Sequence, residues 1–305
     1  MRFTKLHGYG NDYIVVEGEE LGGFLTSFGE FAPLGVMPSE VGQLSRLVRA
    51  VCDRHEGAGA DGVAVVEPVV GGGADFRLRI FNPDGSEAAM SGNGSRCAAA
   101  YLHFRGLWSK DELRLTTRAG VKLFQLRSRP APGRYRFAAE IGQPAFESDS
   151  IPMQAGEPLA HVRDYPLAVG DGEALKVTAL RMCNPNCCVF VEDFEAADWR
   201  RLGALVERHR QFPERTNVEF VRVVDRHSIE ARVWERGAGE TLSSGTGACA
   251  AAVACVVNDL TERRVRVRMP GGLLEVEWRA DGEVVLTGEA EVVYSGVWLK
   301  ETTTA

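Results

Sequence analysis

The chain has 305 residues, 45% of them hydrophobic and 25% charged, with a formal net charge of −7 and a pI near 5.5. Such values belong to an ordinary globular protein of about two domains. No cluster of lysine and arginine stands out, which makes nucleic acid and anionic membrane poor partners and leaves a small-molecule ligand as the better fit.

The amino terminus, MRFTKLHGYGND, has no apolar signal core, and no run of about 18 apolar residues follows; the chain reads as cytoplasmic. Seven cysteines (Cys52, Cys97, Cys183, Cys187, Cys188, Cys249 and Cys255) form an odd set without paired CxxC spacing. Reduced thiols fit better than disulfides or a zinc site. Gly18 to Pro38 lacks a clear period and reads as a loop or flap. From Ser39 to His55, Val41, Leu44, Leu47, Val48 and Val51 share one helical face. DGVAVVE and DFRLRIF read as strands, with Phe76, Leu78 and Ile80 alternating. A glycine-rich loop then opens a helix over 93–106, followed by strands around LRLTT, VKLFQLR and YRFAAEI. A second series has the same order: helix 196–210, strands NVEFVRVV and SIEARVW, a glycine-rich loop, helix 246–258, and strands VRVRM, LLEVEWR and EVVLTG. The pattern predicts an α+β fold with antiparallel or mixed sheets. The alanine-rich helices AAAYLHF and ACAAAVACVV lack a polar face and are expected inside a sheet.

The two glycine-rich regions superpose at a fixed offset. RIFNPDGSEAAMSGNG (Arg79–Gly94) lies over RVWERGAGETLSSGTG (Arg232–Gly247) without a gap. Arg79 meets Arg232, Glu87 meets Glu240, Ser91 meets Ser244, Gly92 meets Gly245 and Gly94 meets Gly247. The offset is about half the chain, which predicts two similar halves carrying one device each. The boundaries read as 1–137 and 138–292, and the C-terminal strand 293–305 can return to the first half.

A glycine-rich turn opening a helix exposes free backbone N–H groups beside the positive end of the helix dipole, which makes an anion site. Two such loops could hold one carboxylate and bring one serine hydroxyl to each face of a carbon. That is a geometry for inverting a stereocentre, with the N–H groups stabilising charge that develops on the carboxylate. The plainer alternative for either loop alone is a serine N-cap without chemistry. Neither loop carries a Walker lysine or a convincing dinucleotide fingerprint.

FTKLHGYGNDYIVVE, DRHEGAGADG, RIFNPDGSEAAMSGNGSRC, NPNC, TNVEF and WERGAGETLSSGTGAC together resemble the diaminopimelate epimerases, a PLP-independent family of the proline-racemase-like superfamily, nearly end to end. The resemblance implies two pseudo-symmetric domains, each a β-barrel-like sheet around a central helix, with the site in a cleft between them. It also implies a homodimer, no metal, no organic cofactor, and interconversion of LL- and meso-diaminopimelate in lysine and peptidoglycan precursor synthesis. By the same resemblance Asn11, Asn82, Asn184, Asn217 and Arg236 hold the substrate's amino and carboxylate groups, and Glu235 is the acidic residue beside Arg236. Gly92, Asn93, Gly245 and Thr246 supply N–H groups to the reacting carboxylate.

In that family the two bases are cysteines, and here Ser91 and Ser244 stand in their places. A serine hydroxyl is a far weaker acid than a thiol, so a serine pair is a poorer proton shuttle unless another group activates it. Cys97 and Cys249, further along their helices, are expected to face the core. NPNC carries Asn186 where the family usually has histidine. The reading is an epimerase of the diaminopimelate type working through Ser91 and Ser244. Its alternatives are a racemase or epimerase of another amino acid, and a natural or engineered Cys→Ser form that binds an amino acid with impaired turnover.

Overall fold

In RFTKLHG, Phe3 and Leu6 are buried while Arg2 is exposed. This strand, β1 (Arg2–Gly8), turns back into β2 (Asn11–Glu17). The two-residue turn puts Tyr9 and Gly10 at φ of 58° and 87°, the left-handed region a tight hairpin needs. The computed structural model describes residues 1–26, 38–170 and 173–299. Mostly strands, with five helices among the described residues, it is a mixed α/β fold that divides into two units: Met1–Ala138 with the segment from Glu289 onward, and Ala139–Gly288. Among the described residues one eight-stranded barrel closes.

In the first unit β2 is followed by α1 (Gly18–Thr26) and α2 (Pro38–Cys52), then β3 (Val63–Pro68), β4 (Phe76–Phe81) and the short β5 (Glu87–Ala88). Next come α3 (Gly92–Phe104), β6 (Glu112–Thr117), β7 (Gly120–Ala131) and β8 (Arg134–Gly142). The second unit runs β9 (Val162–Val169), β10 (Glu173–Met182), β11 (Asn184–Phe190), α4 (Trp199–Glu207), β12 (Asn217–Asp225), β13 (Ser228–Glu235) and β14 (Gly239–Thr241). It continues through α5 (Gly245–Val257), β15 (Arg264–Met269), β16 (Gly272–Trp278) and β17 (Val284–Val297). The unit boundaries fall within β8 and β17, and the far end of β17 pairs antiparallel with β1, Val297 opposite Arg2.

Strand pairing inside each unit repeats the sequence repeat. In the first, β1–β2 is antiparallel, β2–β3 parallel, β3–β4 antiparallel, β4–β6 parallel and β6–β7 antiparallel. In the second, β10–β11, β11–β12, β12–β13, β13–β15 and β15–β16 follow the same alternation. Register agrees as well. Val63 lies opposite Phe81, and Val218 opposite Trp234, the residue that the fixed offset matches to Phe81.

Both alanine-rich helices are enclosed: every residue of α3 from Asn93 to His103 is buried, as is α5 from Gly247 to Cys255. Small side chains let strands approach a helix on all sides, so an all-apolar surface is stable there and nowhere else. Helix α2 packs Leu44, Leu47, Val48 and Val51 against Ile14, Val63 and Val65. Helix α4 sets Trp199, Leu202 and Val206 against Val218 and Phe220.

Two expectations change. Residues 18–26 are helical where a loop was expected. Glu19 and Glu20 complement the dipole in the first turn and Leu21 is buried, which outweighs the cost of Gly22 and Gly23. The remainder of that expected flap, 27–37, lies outside the described residues. The helix expected over 196–210 is shorter, Trp199–Glu207, because Asp198 before it takes a left-handed φ of 47°. All seven cysteines are free thiols, with Cys183 alone exposed. Among the described residues no helix is long and apolar enough to cross a membrane.

Candidate active site

Ser91 is the N-cap of α3. With φ −135° and ψ 124° it is extended, and its Oγ accepts from the Gly94 N–H at 3.1 Å. The Ser95 N–H bonds to the Ser91 carbonyl at 2.9 Å. That leaves the N–H groups of Gly92 and Asn93, the first in the helix, with no acceptor among the described residues. Asn93 is buried, and its Oδ1 accepts from Arg96 Nη2. Arg96, itself fully buried, lies over the Tyr9 ring at 5.8 Å. The Tyr13 hydroxyl lies 2.8 Å from Ser91 Oγ.

The second unit builds the same start. Ser244, extended at φ −130° and ψ 126°, caps α5 and accepts from the Gly247 N–H at 3.3 Å. Ala248 N–H bonds to the Ser244 carbonyl at 3.0 Å, and Gly245 and Thr246 keep their N–H groups unclaimed among the described residues. Each loop therefore presents one serine oxygen and two free amide donors at the positive end of a helix.

The other predicted residues occupy distinct settings. Asn11 donates to Asp61 Oδ2 at 2.9 Å and belongs to an ionic network. Asp12 binds Lys5 at 2.8 Å and Arg54 at 2.9 Å, and Arg54 reaches Asp61 at 2.6 Å. Burial alone would raise Asp12; hydrogen bonds from Arg54 and Lys5 outweigh it and bring the carboxyl from 3.8 to about 2. A depressed carboxyl stabilises the fold above its unfolded pKa and loses that contribution as pH falls through the folded one. Replacing Asp12 with Asn should cost about 2 kcal/mol at neutral pH. Urea unfolding from pH 7 to 2 checks this: the gap between wild type and variant closes as pH drops from near 4 towards 2.

Asn82, exposed in the β4–β5 turn, donates to Ser86 Oγ at 3.0 Å. In the second unit three asparagines are linked. Asn217 donates to Asn186 Oδ1 at 3.3 Å, and Asn186 donates to the Asn184 carbonyl at 2.6 Å. Asn217 Oδ1 also accepts the Arg236 N–H at 2.9 Å, and Glu207 Oε1 accepts the Gly237 N–H at 3.0 Å. These two bonds fix the turn after β13, leaving the Arg236 side chain exposed and tied to the Glu214 carbonyl at 3.0 Å. Glu235 Oε1 accepts from Thr241 Oγ1 at 2.8 Å. Asn217, 5% exposed, thus has its oxygen and one N–H engaged within the protein.

The repeat also has a limit. Arg79 and Glu87 form a two-bonded ion pair at 3.0 and 3.1 Å. Their matched residues part: Arg232 stacks over Phe194 at 4.5 Å, while Glu240 pairs with Arg200 at 2.7 Å.

The diaminopimelate epimerase family model matches residues 3–138 and 178–293, spanning both serine-capped starts. The chain belongs to the diaminopimelate epimerase family. The diaminopimelate epimerase of Pelotomaculum thermopropionicum is 44% identical over 297 residues, covering 97% of this chain and 98% of that protein. That of Desulforudis audaxviator is 43% identical over 305 residues, covering 98% and 100%. Among solved structures, a Bacillus anthracis phenazine biosynthesis protein of the PhzF family superposes with a TM-score of 0.67 at 15% identity, over 98% and 99% of the two chains. A probable proline racemase from Agrobacterium radiobacter K84 gives 0.65 at 17%, over 98% and 93%. At those identities the structural likeness speaks for the fold alone.

For a diaminopimelate epimerase family member, the sequence reading missed two neighbours of the serines, Tyr13 and Glu219. Both sit inside motifs quoted for the resemblance, GYGNDYIVVE and TNVEF, but nothing in the spacing joins them to a serine. Glu219 is fully buried, and its carboxyl is pushed well above its ordinary value by burial and by the charge of Glu235. The conspicuous thiols are placed elsewhere: Cys97 and Cys249 are wholly buried in α3 and α5, and burial pushes Cys97 up to about 12. Among the described residues no group of three or more His, Cys, Asp or Glu is arranged to hold a metal ion.

Proposed function

We propose that this chain is a PLP-independent diaminopimelate epimerase of lysine and peptidoglycan precursor synthesis. It interconverts the LL and meso forms by proton transfer at Cα, and Ser91 and Ser244 are its two acid/base positions. Family membership over both halves supports the reaction. The observation that carries the residue assignment is the matched pair of helix starts, each with a serine oxygen beside two unclaimed amides.

In this reading Gly92, Asn93, Gly245 and Thr246 hold the reacting carboxylate through their N–H groups. Charge builds on that carboxylate as the Cα proton leaves, so fixed amide dipoles lower the barrier without reorganising. One serine removes the proton and the other supplies one, which inverts the centre. Arg236, with Asn11, Asn82, Asn184 and Asn217, serves the distal amino and carboxylate groups, a guanidinium fork suiting a carboxylate. Glu235 adds acceptor capacity beside them. Serines occupy positions that the family resemblance gives to cysteines, and each unit wraps a barrel-like sheet around its own alanine-rich helix. The remaining elements are a homodimer, a cytoplasmic location, and halves divided near residue 138.

Incubating the protein with LL-diaminopimelate in deuterated water tests the reading. Meso product carrying α-deuterium is expected, and Ser91→Ala or Ser244→Ala should each abolish inversion. Tight binding without exchange would instead favour an amino-acid-binding form, and exchange confined to a different amino acid would favour another racemase.

A further inference from the structure

A serine is a weak proton shuttle, so the groups beside each hydroxyl matter. In the first unit the neighbour is Tyr13, 2.8 Å away, oxygen to oxygen. Two glycines make its position possible. A Cβ on Gly94 would lie 2.9 Å from Tyr13 Cε1, and one on Gly62 would lie 2.7 Å from the same atom. The ring rests on two bare backbone positions, which carries its hydroxyl to the serine.

The second unit uses the matched glycine in the same way. Gly247, like Gly94, is the third residue after the serine and donates its N–H to the serine oxygen. A Cβ on Gly247 would lie 3.0 Å from Glu219 Oε1 and 3.2 Å from Ser244 Oγ, so the two oxygens flank one small space. Glu219 is wholly buried, and Oε1 has no hydrogen-bond partner among the described residues. Oε2 accepts the weak thiol donor of Cys188 at 3.8 Å, and the backbone of Cys187 and of Glu219 itself lies close enough to act on the carboxyl. Its titratable neighbours among the described residues are Cys187 and Cys188 on β11 and Glu235 on β13. A buried carboxyl oxygen left unsatisfied is costly, and such groups in native proteins call for a reason.

We propose that each serine works as a dyad with an oxygen acid of its own unit, Ser91 with Tyr13 and Ser244 with Glu219, the partner taking up and returning the hydroxyl proton. This rests on the epimerase reading and deepens it. As a serine oxygen takes the Cα proton, its own O–H proton passes to the partner, present as carboxylate or phenolate. As the other serine gives its proton to Cα, it recovers one from its partner, present as carboxylic acid or phenol. One turnover therefore moves one proton from substrate to one dyad and one from the other dyad to substrate. Burial raises the proton affinity of Glu219 well above that of an ordinary carboxyl, which suits it to hold a proton for Ser244. Tyr13 and Glu219 act through the serines and are positioning residues.

Tyr13→Phe and Glu219→Gln, each nearly isosteric, test this with both epimers in deuterated water. Glu219→Gln should cut inversion about a hundredfold or more. The epimer whose proton is served by Ser91 should still exchange α-hydrogen with retention; the epimer served by Ser244 should lose exchange as well. Tyr13→Phe should show the mirror pattern. Equal losses for both epimers in both variants, or unchanged rates, would overturn the dyads. An infrared difference measurement reads the proposed pairing without turnover. The protonated-carboxyl band abolished by Glu219→Gln should shift in Ser244→Ala, and a band that Ser244→Ala leaves unmoved overturns the second dyad. Wild-type protein inert towards both epimers would sink the epimerase reading, while the infrared shift would still decide the pairing.

Discussion

Changing Ser91 and Ser244 together to cysteine is expected to raise α-proton exchange on diaminopimelate by roughly two orders of magnitude or more. A thiol ionises near pH 8.5, and every unit of pKa separating a weaker acid from that value costs about 1.36 kcal/mol in reaching the anion. The backbone at both caps would favour a thiolate placed there. Gly94 and Gly247 direct their N–H groups at the cap oxygens from 3.1 and 3.3 Å, and each helix start adds partial positive charge. The thiols further along the same two helices cannot supply this chemistry, since Cys97 and Cys249 have no exposed surface. Deuterium incorporation measured by mass against time gives the comparison. A double-cysteine protein that stays inert towards diaminopimelate, while melting like the wild type, would mean that the substrate assignment is wrong.

The second large effect concerns stability. Gly62→Ala should destabilise the protein by about 3 kcal/mol. A Cβ there would sit 2.6 Å from the Phe81 carbonyl oxygen and 2.7 Å from Tyr13 Cε1. Neither can retreat easily. Phe81 is held in the β3–β4 ladder opposite Val63, and the Tyr13 ring is backed by Gly94. Gly73→Ala is the control: a Cβ there would meet nothing within 4 Å, and a change within about 0.5 kcal/mol is expected. Denaturant midpoints of the two variants should separate clearly. An equal midpoint for both would mean that the close approach at Gly62 relaxes without cost.

The sequence by itself determined the local and periodic features. A serine followed by glycines and an alanine run specifies a capped helix start, because the cap bond spans only three residues. The fixed offset between Arg79–Gly94 and Arg232–Gly247 specified two like units, and the pairing order and register within each unit repeat it. The core face of α2 was legible because Leu44, Leu47, Val48 and Val51 follow the helical period.

Tertiary structure decided what surrounds each serine. Tyr13 is separated from Ser91 by 78 residues and meets it only because β2 packs across the start of α3. Gly94 and Gly247 look alike as loop residues, yet one admits a phenol ring and the other a buried carboxyl. The same holds for Arg232 and Glu240, which match Arg79 and Glu87 in sequence but take other partners once Phe194 and Arg200 are within reach. Capping and periodicity are set by neighbours along the chain, whereas the chemistry available to a hydroxyl is set by whichever distant strand closes over it.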